Sequence, residues 1–493
     1  MTFPTKTTPL SIQQQLDLSS EEFRRYAHEF VSWIANYLDH PERYKVFPDV
    51  KPGDIKSKLP STPPEHPEPL DAVIKDIDRI IAPGLTHWNH PGFMAYFGIS
   101  SSKPAILGEL VSAAFDTNAM LWKTGPAAVE LEEVVLDWLR QLLGLPDGYY
   151  GLIHDTASVS SLVALAAARE ALNLHIREEG MSGRHELPKL RIYTSEHAHS
   201  SIEKAAIVLG LGQKGLRKIE VDAEFRMRVD RLREAIEHDI NAGIKPCAVV
   251  ATVGTTSTTS IDPVREIAEV CQKHDLWLHV DAAYAGNAAL LPEMRWLVDG
   301  CDQADSLVFN PHKWLFVPID CSVLYCRKPD ILRQAFSLVP EYLRTGEEEV
   351  RNPMDYGISL GRRFRALKLW MVLRTFGVTG IRERLRYHIA LAKKFRSWVE
   401  EHPDFEVVAP TPLSVVCFRY RPQNFNLSDE DFDTLNEKLL EAVNKSGEVF
   451  LSHTKLHDRY TLRLAIGNLG TTEQHVRRAW ELLLEQANIV MHR

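Results

Sequence analysis

The sequence predicts an α/β protein built on a buried, mostly parallel sheet, with a helical segment before it and a smaller α+β domain after it. Three observations carry this. Between residues 150 and 330, short runs rich in Val and Leu alternate with helical patterns. Those runs are apolar on both faces, as strands are when helices cover both sides of a parallel sheet. With 493 residues, the chain also exceeds what one hydrophobic core supports.

In chain order, residues 21–40 (EEFRRYAHEFVSWIANYLDH) carry apolar side chains at helical spacing, with Phe23, Tyr26, Phe30 and Trp33 on one face. Ser19 or Ser20 can cap this helix, and acidic residues fill its first turn. Residues 46–69 are rich in proline and read as an extended crossing segment, packed either on another subunit or on their own domain. Strands are expected at 190–194, 247–253, 276–281, 305–309 and 322–326, with helices at 159–178, 229–242 and 263–274. Residues 360–400 are helical and basic. The C-terminal part has strands at 413–420 and 460–466 and helices at 429–444 and 472–487. The expected division is 1–90, 91–358 and 359–493.

Composition excludes several classes. The chain is 44% hydrophobic and 25% charged, so it can bury a large core. Its net charge is −9 and it has no basic tract, which argues against a nucleic-acid partner. No 18-residue apolar run occurs and residues 1–20 lack an apolar signal segment, so a membrane span is not expected. The six cysteines form no Cys-x-x-Cys pair and read as reduced thiols of a cytoplasmic protein.

Four polar motifs follow strand ends, where such sheets bind ligands. Asn310-Pro311-His312-Lys313-Trp314 follows 305–309, and its apolar neighbourhood would lower the Lys313 pKa and make the amine nucleophilic. His279-Val280-Asp281-Ala282-Ala283-Tyr284 closes 276–281. A carboxylate there needs a partner, or else serves as a cap or an internal ion pair, and Ala282 and Ala283 would let a flat ring approach. Asp155-Thr156-Ala157-Ser158 opens a helix and offers hydroxyls and N–H groups to an anion, or simply caps it. Glu196-His197-Ala198-His199-Ser200-Ser201 follows 190–194. His-x-His suggests a metal, but without a matching cluster nearby a ring-stacking imidazole is favoured and no metal is expected. Together these match one cofactor: pyridoxal phosphate has a phosphate, a flat ring, a basic ring nitrogen and an aldehyde.

Further motifs are Thr86-His87-Trp88, Ala95-Tyr96-Phe97, Ala251-Thr252-Val253-Gly254-Thr255-Thr256 and Gly361-Arg362-Arg363-Phe364. With them the sequence resembles the aromatic L-amino-acid decarboxylases, group II pyridoxal-phosphate decarboxylases of fold type I, from about residue 20 to residue 485. The resemblance implies a large cofactor domain with a mostly parallel seven-stranded sheet, a smaller C-terminal α+β domain, and an N-terminal segment packed on the partner of a homodimer. It implies that Lys313 carries pyridoxal 5'-phosphate as a Schiff base, that Asp281 pairs with the ring nitrogen with Thr256 in support, and that His199 and Ala283 sandwich the ring. Thr156, Ala157, Ser158, Asn310 and His312 match positions around the phosphate. Trp88, Tyr96, Phe97, Asn118, Met120 and Gly361 match the substrate pocket, Asn118 and Met120 reaching it from the partner subunit. Tyr342, in a polar stretch that reads as a lid, matches the tyrosine that protonates Cα.

The implied reaction is decarboxylation of tryptophan, tyrosine, DOPA or phenylalanine to the amine and CO2. Its rival on the same scaffold is an aldehyde synthase, whose relatives carry phenylalanine where this chain has Tyr342. The sequence departs from the animal enzymes in three places. Tyr149-Tyr150-Gly151-Leu152 replaces a glycine-rich run, Asp155-Thr156-Ala157-Ser158 replaces Gly-Ser-Ala-Ser, and Gly98 replaces a proline, which is expected to loosen the pocket wall.

Overall fold

The computed structural model describes residues 17–338, 350–425 and 427–491. The chain divides into two compact units, Met1–His90 and Pro91–Arg493.

In the first unit, the helix Ser20–Asp39 starts at a capping box formed by Ser19 and Glu22, which satisfies N–H groups that a helix end leaves open. Trp33 and Tyr37 stack at 5.6 Å, and the Tyr37 hydroxyl meets His87 Nδ1 at 2.8 Å. Of the expected apolar face only Tyr26 is fully buried, whereas Phe23 is 61% exposed. A small unit offers too little core to cover the whole stripe.

The second unit carries two sheets. Strand β1 (Phe93–Met94) belongs to the smaller. The larger has seven strands: β2 (Tyr150–His154), β3 (Leu190–Ser195), β4 (Leu216–Ile219), β5 (Lys245–Thr252), β6 (Trp277–Asp281), β7 (Ser306–Phe309) and β8 (Ser322–Cys326). Their order is β2-β8-β7-β6-β5-β3-β4, and only β8 runs against its neighbours. Strands β6, β7 and β8 are buried at every position. Each fully buried Val or Leu there contributes about 1.5–3 kcal/mol. Because β2, β3, β5, β6 and β7 point the same way, their carboxyl ends share one edge.

The five-stranded sheet has the order β1-β11-β12-β10-β9, with β9 (Phe405–Val407), β10 (Val415–Tyr420), β11 (Phe450–Leu456) and β12 (Arg459–Ala465). Helices Asp429–Lys445 and Glu473–Met491 pack on it through Leu439, Val443, Val476 and Leu483.

Element positions differ from expectation mainly at edges. The helix expected over 159–178 is Ala157–Glu170, after which the chain turns into a short helix at Ile176–Glu179. The helical stretch expected over 360–400 is Arg365–Glu401, broken at Gly377, whose φ of 62° lies in the left-handed region.

Candidate active site

The shared edge gathers the four motifs. Lys313 stands in a single helical turn, Pro311–Trp314, directly after β7. Its Nζ lies 5.0 Å from the centroid of the Phe97 ring. Burial pushes the amine down from its ordinary value, Asp281 pulls it back up, and Arg463 pushes it down further. Phe97 is held by a column of rings. It stacks on Tyr284 at 4.0 Å, Tyr284 stacks on Trp314 at 4.6 Å, and Trp314 Nε1 donates to His388 Nδ1 at 2.9 Å.

Asp281 ends β6 and is 5% exposed. It accepts one hydrogen bond, 3.1 Å from the Ala283 N–H, and no cation of the described residues lies within ion-pair distance. A buried carboxylate left in that state costs several kcal/mol, so the site is built for a cationic partner. Its neighbour in register is Thr252, whose buried Oγ1 has no hydrogen-bond partner among the described residues. Thr256, in the support role expected from sequence, is exposed farther along the loop. Glycines allow close packing behind this strand end: a Cβ on Gly286 would come within 2.8 Å of Phe309 Cβ, and one on Gly254 within 2.7 Å of Ala285 Cβ.

His199 caps the helix Ser200–Val208, with Nδ1 accepting from the Ser201 N–H at 3.1 Å. That bond puts the proton of the neutral ring on Nε2, and burial lowers the His199 pKa, with Lys313 and Lys204 adding and Asp281 opposing. Thr156 is the N-cap of Ala157–Glu170 but its side chain makes no capping bond. The N–H groups of Ala157 and Ser158 have no partner among the described residues. Asn310 Oδ1 is buried without a partner as well. His312 Nδ1 accepts from the Cys321 N–H at 2.9 Å, and burial pushes the ring to about 3, so it is neutral with an N–H on Nε2. The Ala157 and Ser158 N–H groups and the His312 Nε2–H could donate to a phosphate.

A second cluster holds Asn118, Met120 and Gly361. Arg362 N donates to Asn118 Oδ1 at 2.9 Å, and its guanidinium pairs with buried Glu132 at 2.7 Å and donates to Ile153 O in β2 at 2.8 Å. This ties the 118–120 stretch to the strand that leads into Thr156. Tyr96 adopts φ 53°, a left-handed conformation uncommon for an aromatic residue, and is half exposed beside buried Phe97. Gly98 does not loosen this wall: a Cβ on it would lie 3.3 Å from the Gly467 backbone, so two main chains meet there. Trp88 lies in the first unit. Tyr342 falls outside the described residues.

Three residues with no role expected from sequence also belong here, although Thr252 and His279 fall within the motifs above. Besides Thr252, Arg463 of β12 is 3% exposed, donates to Ser257 O at 2.9 Å and to Tyr96 O, and lies 4.8 Å from the Phe97 ring centroid. Its Nη2 is buried without a partner, and no carboxylate of the described residues pairs with it. His279 bonds Ser161 at 3.1 Å and Ser306 at 2.9 Å, which fixes the helix Ala157–Glu170 against β6 and β7.

Among the described residues, no group of three or more His, Cys, Asp or Glu could hold a metal ion. An unpaired buried carboxylate, a lysine of lowered pKa, an imidazole, and a helix end with free donors instead fit the four parts of pyridoxal phosphate.

The comparisons agree with that fit. The pyridoxal-dependent decarboxylase conserved domain matches residues 52–421. The chain is 41% identical to an aromatic-L-amino-acid decarboxylase of Bos taurus over 487 residues, covering 96% of this chain and 98% of that protein. It is 40% identical to a phenylacetaldehyde synthase of Arabidopsis thaliana over 489 residues, covering 97% and 98%. The solved structure of Oryza sativa TDC with PLP and tryptamine is similar at a TM-score of 0.92 and 38% identity, covering 96% and 99%. The chain belongs to the pyridoxal-dependent decarboxylase family: it is a carboxy-lyase of fold type I that works with pyridoxal phosphate.

Proposed function

We propose that the chain decarboxylates aromatic L-amino acids to the corresponding amines and CO2, as a cytoplasmic homodimer. The observation that carries the reading is the placement of Lys313, its amine lowered by burial, against the aromatic ring of Phe97 and within electrostatic reach of Asp281. Relatives named for aromatic substrates support the substrate class.

Lys313 would hold the cofactor's aldehyde carbon, Asp281 its ring nitrogen, His199 and Ala283 the two ring faces, and Thr156, Ala157, Ser158, Asn310 and His312 its phosphate, with Thr252 rather than the exposed Thr256 beside Asp281. When bound, pyridoxal phosphate takes up the electron pair released as CO2 leaves. Asp281 keeps the proton on the ring nitrogen, because a carboxylate beside it favours the charged form. Phe97, fixed by the Tyr284 and Trp314 column, gives the substrate side chain an apolar wall and excludes water from Lys313. The resemblance assigns Trp88, Tyr96, Asn118, Met120 and Gly361 to substrate binding, Asn118 and Met120 from the partner subunit, and Tyr342 to the return of a proton to Cα.

The homodimer is supported by uncovered apolar surface. Leu107, Leu110, Val111 and Phe115 are exposed along the helix Lys103–Phe115, and Phe23 is exposed on Ser20–Asp39. That span leads into Asn118 and Met120. Six free, buried cysteines suit a reducing compartment, and among the described residues no helix is long and apolar enough to cross a membrane. The proposed division at 358/359 within the unit Pro91–Arg493 is supported by the seven-stranded sheet lying before it and the five-stranded sheet, apart from β1, lying after it. A fully active monomer in sedimentation would contradict the dimer.

The rival reading, an aldehyde synthase, is favoured by the Arabidopsis relative and opposed by Tyr342. Side-by-side turnover of tryptophan, tyrosine, DOPA and phenylalanine, with CO2, amine and peroxide quantified, separates the two. The wild type should give amine and CO2 in equal amounts. Tyr342→Phe should still release CO2 but shift product toward aldehyde, ammonia and hydrogen peroxide at the expense of dissolved oxygen. Peroxide in step with CO2 from the wild type would support the rival instead.

A further inference from the structure

The residue that precedes the phosphate-binding helix end carries a negative charge. Asp155 Oδ1 accepts from the Thr156 N–H at 2.5 Å and lies 3.3 Å from Thr156 Oγ1. The N–H and hydroxyl at the mouth of the helix are therefore already engaged by an anion of the chain itself. Of the donors left, the Ala157 and Ser158 N–H groups and the Ser158 hydroxyl carry no net charge, and His312 is held neutral by burial. The nearby cation, Arg365, is shared: its Nε and Nη2 grip Asp320 at 2.8 and 3.1 Å. No cation of the described residues lies within ion-pair distance of Asp155. A phosphate dianion arriving here meets a carboxylate that Arg365, bound to Asp320, offsets only in part and through space.

We propose that Asp155 sets how tightly this chain retains its cofactor, by competing with the phosphate for the first N–H of the cradle and by repelling the dianion once it is bound. The inference rests on the reading that the phosphate sits at the N-terminus of Ala157–Glu170. Two charges a few ångströms apart in a partly buried site interact strongly enough to change affinity about tenfold. Cofactor occupancy would then follow the free cofactor concentration, rather than staying saturated.

The test is equilibrium dialysis of the holoenzyme against falling concentrations of pyridoxal phosphate, with bound cofactor read by its visible absorbance. Asp155→Asn keeps the shape and the hydrogen bond but removes the charge, and should lower Kd about tenfold, an advantage that shrinks as salt screens the site. Asp155→Gly also frees the N–H and should lower Kd further. Pyridoxal, which lacks the phosphate, should bind wild type and both variants alike. Unchanged or weaker retention in Asp155→Asn would overturn the proposal, as would an equal shift for pyridoxal. Thr156→Ala and Ser158→Ala separate this from failure of the underlying reading. If neither weakens pyridoxal phosphate binding, the phosphate is not held at this helix end and both fall. If they do weaken it while Asp155→Asn changes nothing, only the role of Asp155 falls.

Discussion

Asp281 shows how much of the chemistry one residue carries. Among the described residues its buried carboxylate has a single N–H partner, and in the proposed reading the cofactor's ring nitrogen supplies the cation it lacks. Asp281→Asn keeps the shape but can no longer hold a proton on that nitrogen by charge. We expect weaker cofactor retention and a drop in kcat of at least about a hundredfold, because a carboxylate lost from beside the nitrogen lowers its pKa by two units or more. Near-normal turnover would make Asp281 a structural residue. At this scale the sequence was informative where chemistry is local. Lys313, His199 and Thr156 each follow a strand within a few residues and Asp281 ends one, so type and position could be read together. Thr252 and Arg463 could not. Thr252 faces Asp281 only through strand register, and Arg463 looks like an ordinary strand residue of the small domain until β12 brings it against Tyr96 and Phe97.

Among the elements, the turn at Gly361–Arg362 joins three others. Arg362 meets Glu132 from the helix Pro126–Leu143, Ile153 in β2 and Ala119 O in the segment before that helix. Breaking a buried ion pair on one side leaves an uncompensated charge and costs about 3–5 kcal/mol. Arg362→Met should therefore lower stability by that order and let Asn118 and Met120 drift, raising KM more than it lowers kcat. Glu132→Gln, which keeps a hydrogen-bond acceptor for Arg362, should do less. Equal KM for wild type and Arg362→Met, measured on folded enzyme, would show that the turn does not position the pocket. Strands that escaped the sequence have weak patterning or little length: β2 contains Gly151, β4 is a short edge strand with two basic residues, β11 has four polar residues in a row, and β1 and β9 span only two and three residues. The central strands were legible because both of their faces are buried.

The whole molecule buries several neutral histidines. Burial pushes His154 and His312 to about 3 and His279 and His388 to about 4, from an ordinary 6.5. The folded pKa lies below the unfolded one, so their contribution is complete above about 6.5 and is lost as pH falls toward 4, when the unfolded chain takes up protons that the fold refuses. Four such groups would steepen the loss to as much as about 5 kcal/mol per pH unit near pH 5. Urea unfolding at a series of pH values checks this: a flat profile between pH 6.5 and 4.5 would contradict it. Fold class and the edge that holds the site were legible in sequence because a parallel sheet writes both faces of its strands as apolar runs and puts its chemistry at their ends. The central claim is that this edge holds pyridoxal phosphate on Lys313, and borohydride reduction of the holoenzyme followed by peptide mapping tests it most directly. The account predicts loss of the visible band with a single pyridoxyl label on Lys313, and a folded Lys313→Ala variant that takes no label and does not turn over. A label on any other lysine, or an unlabelled Lys313 in an active enzyme, would contradict it.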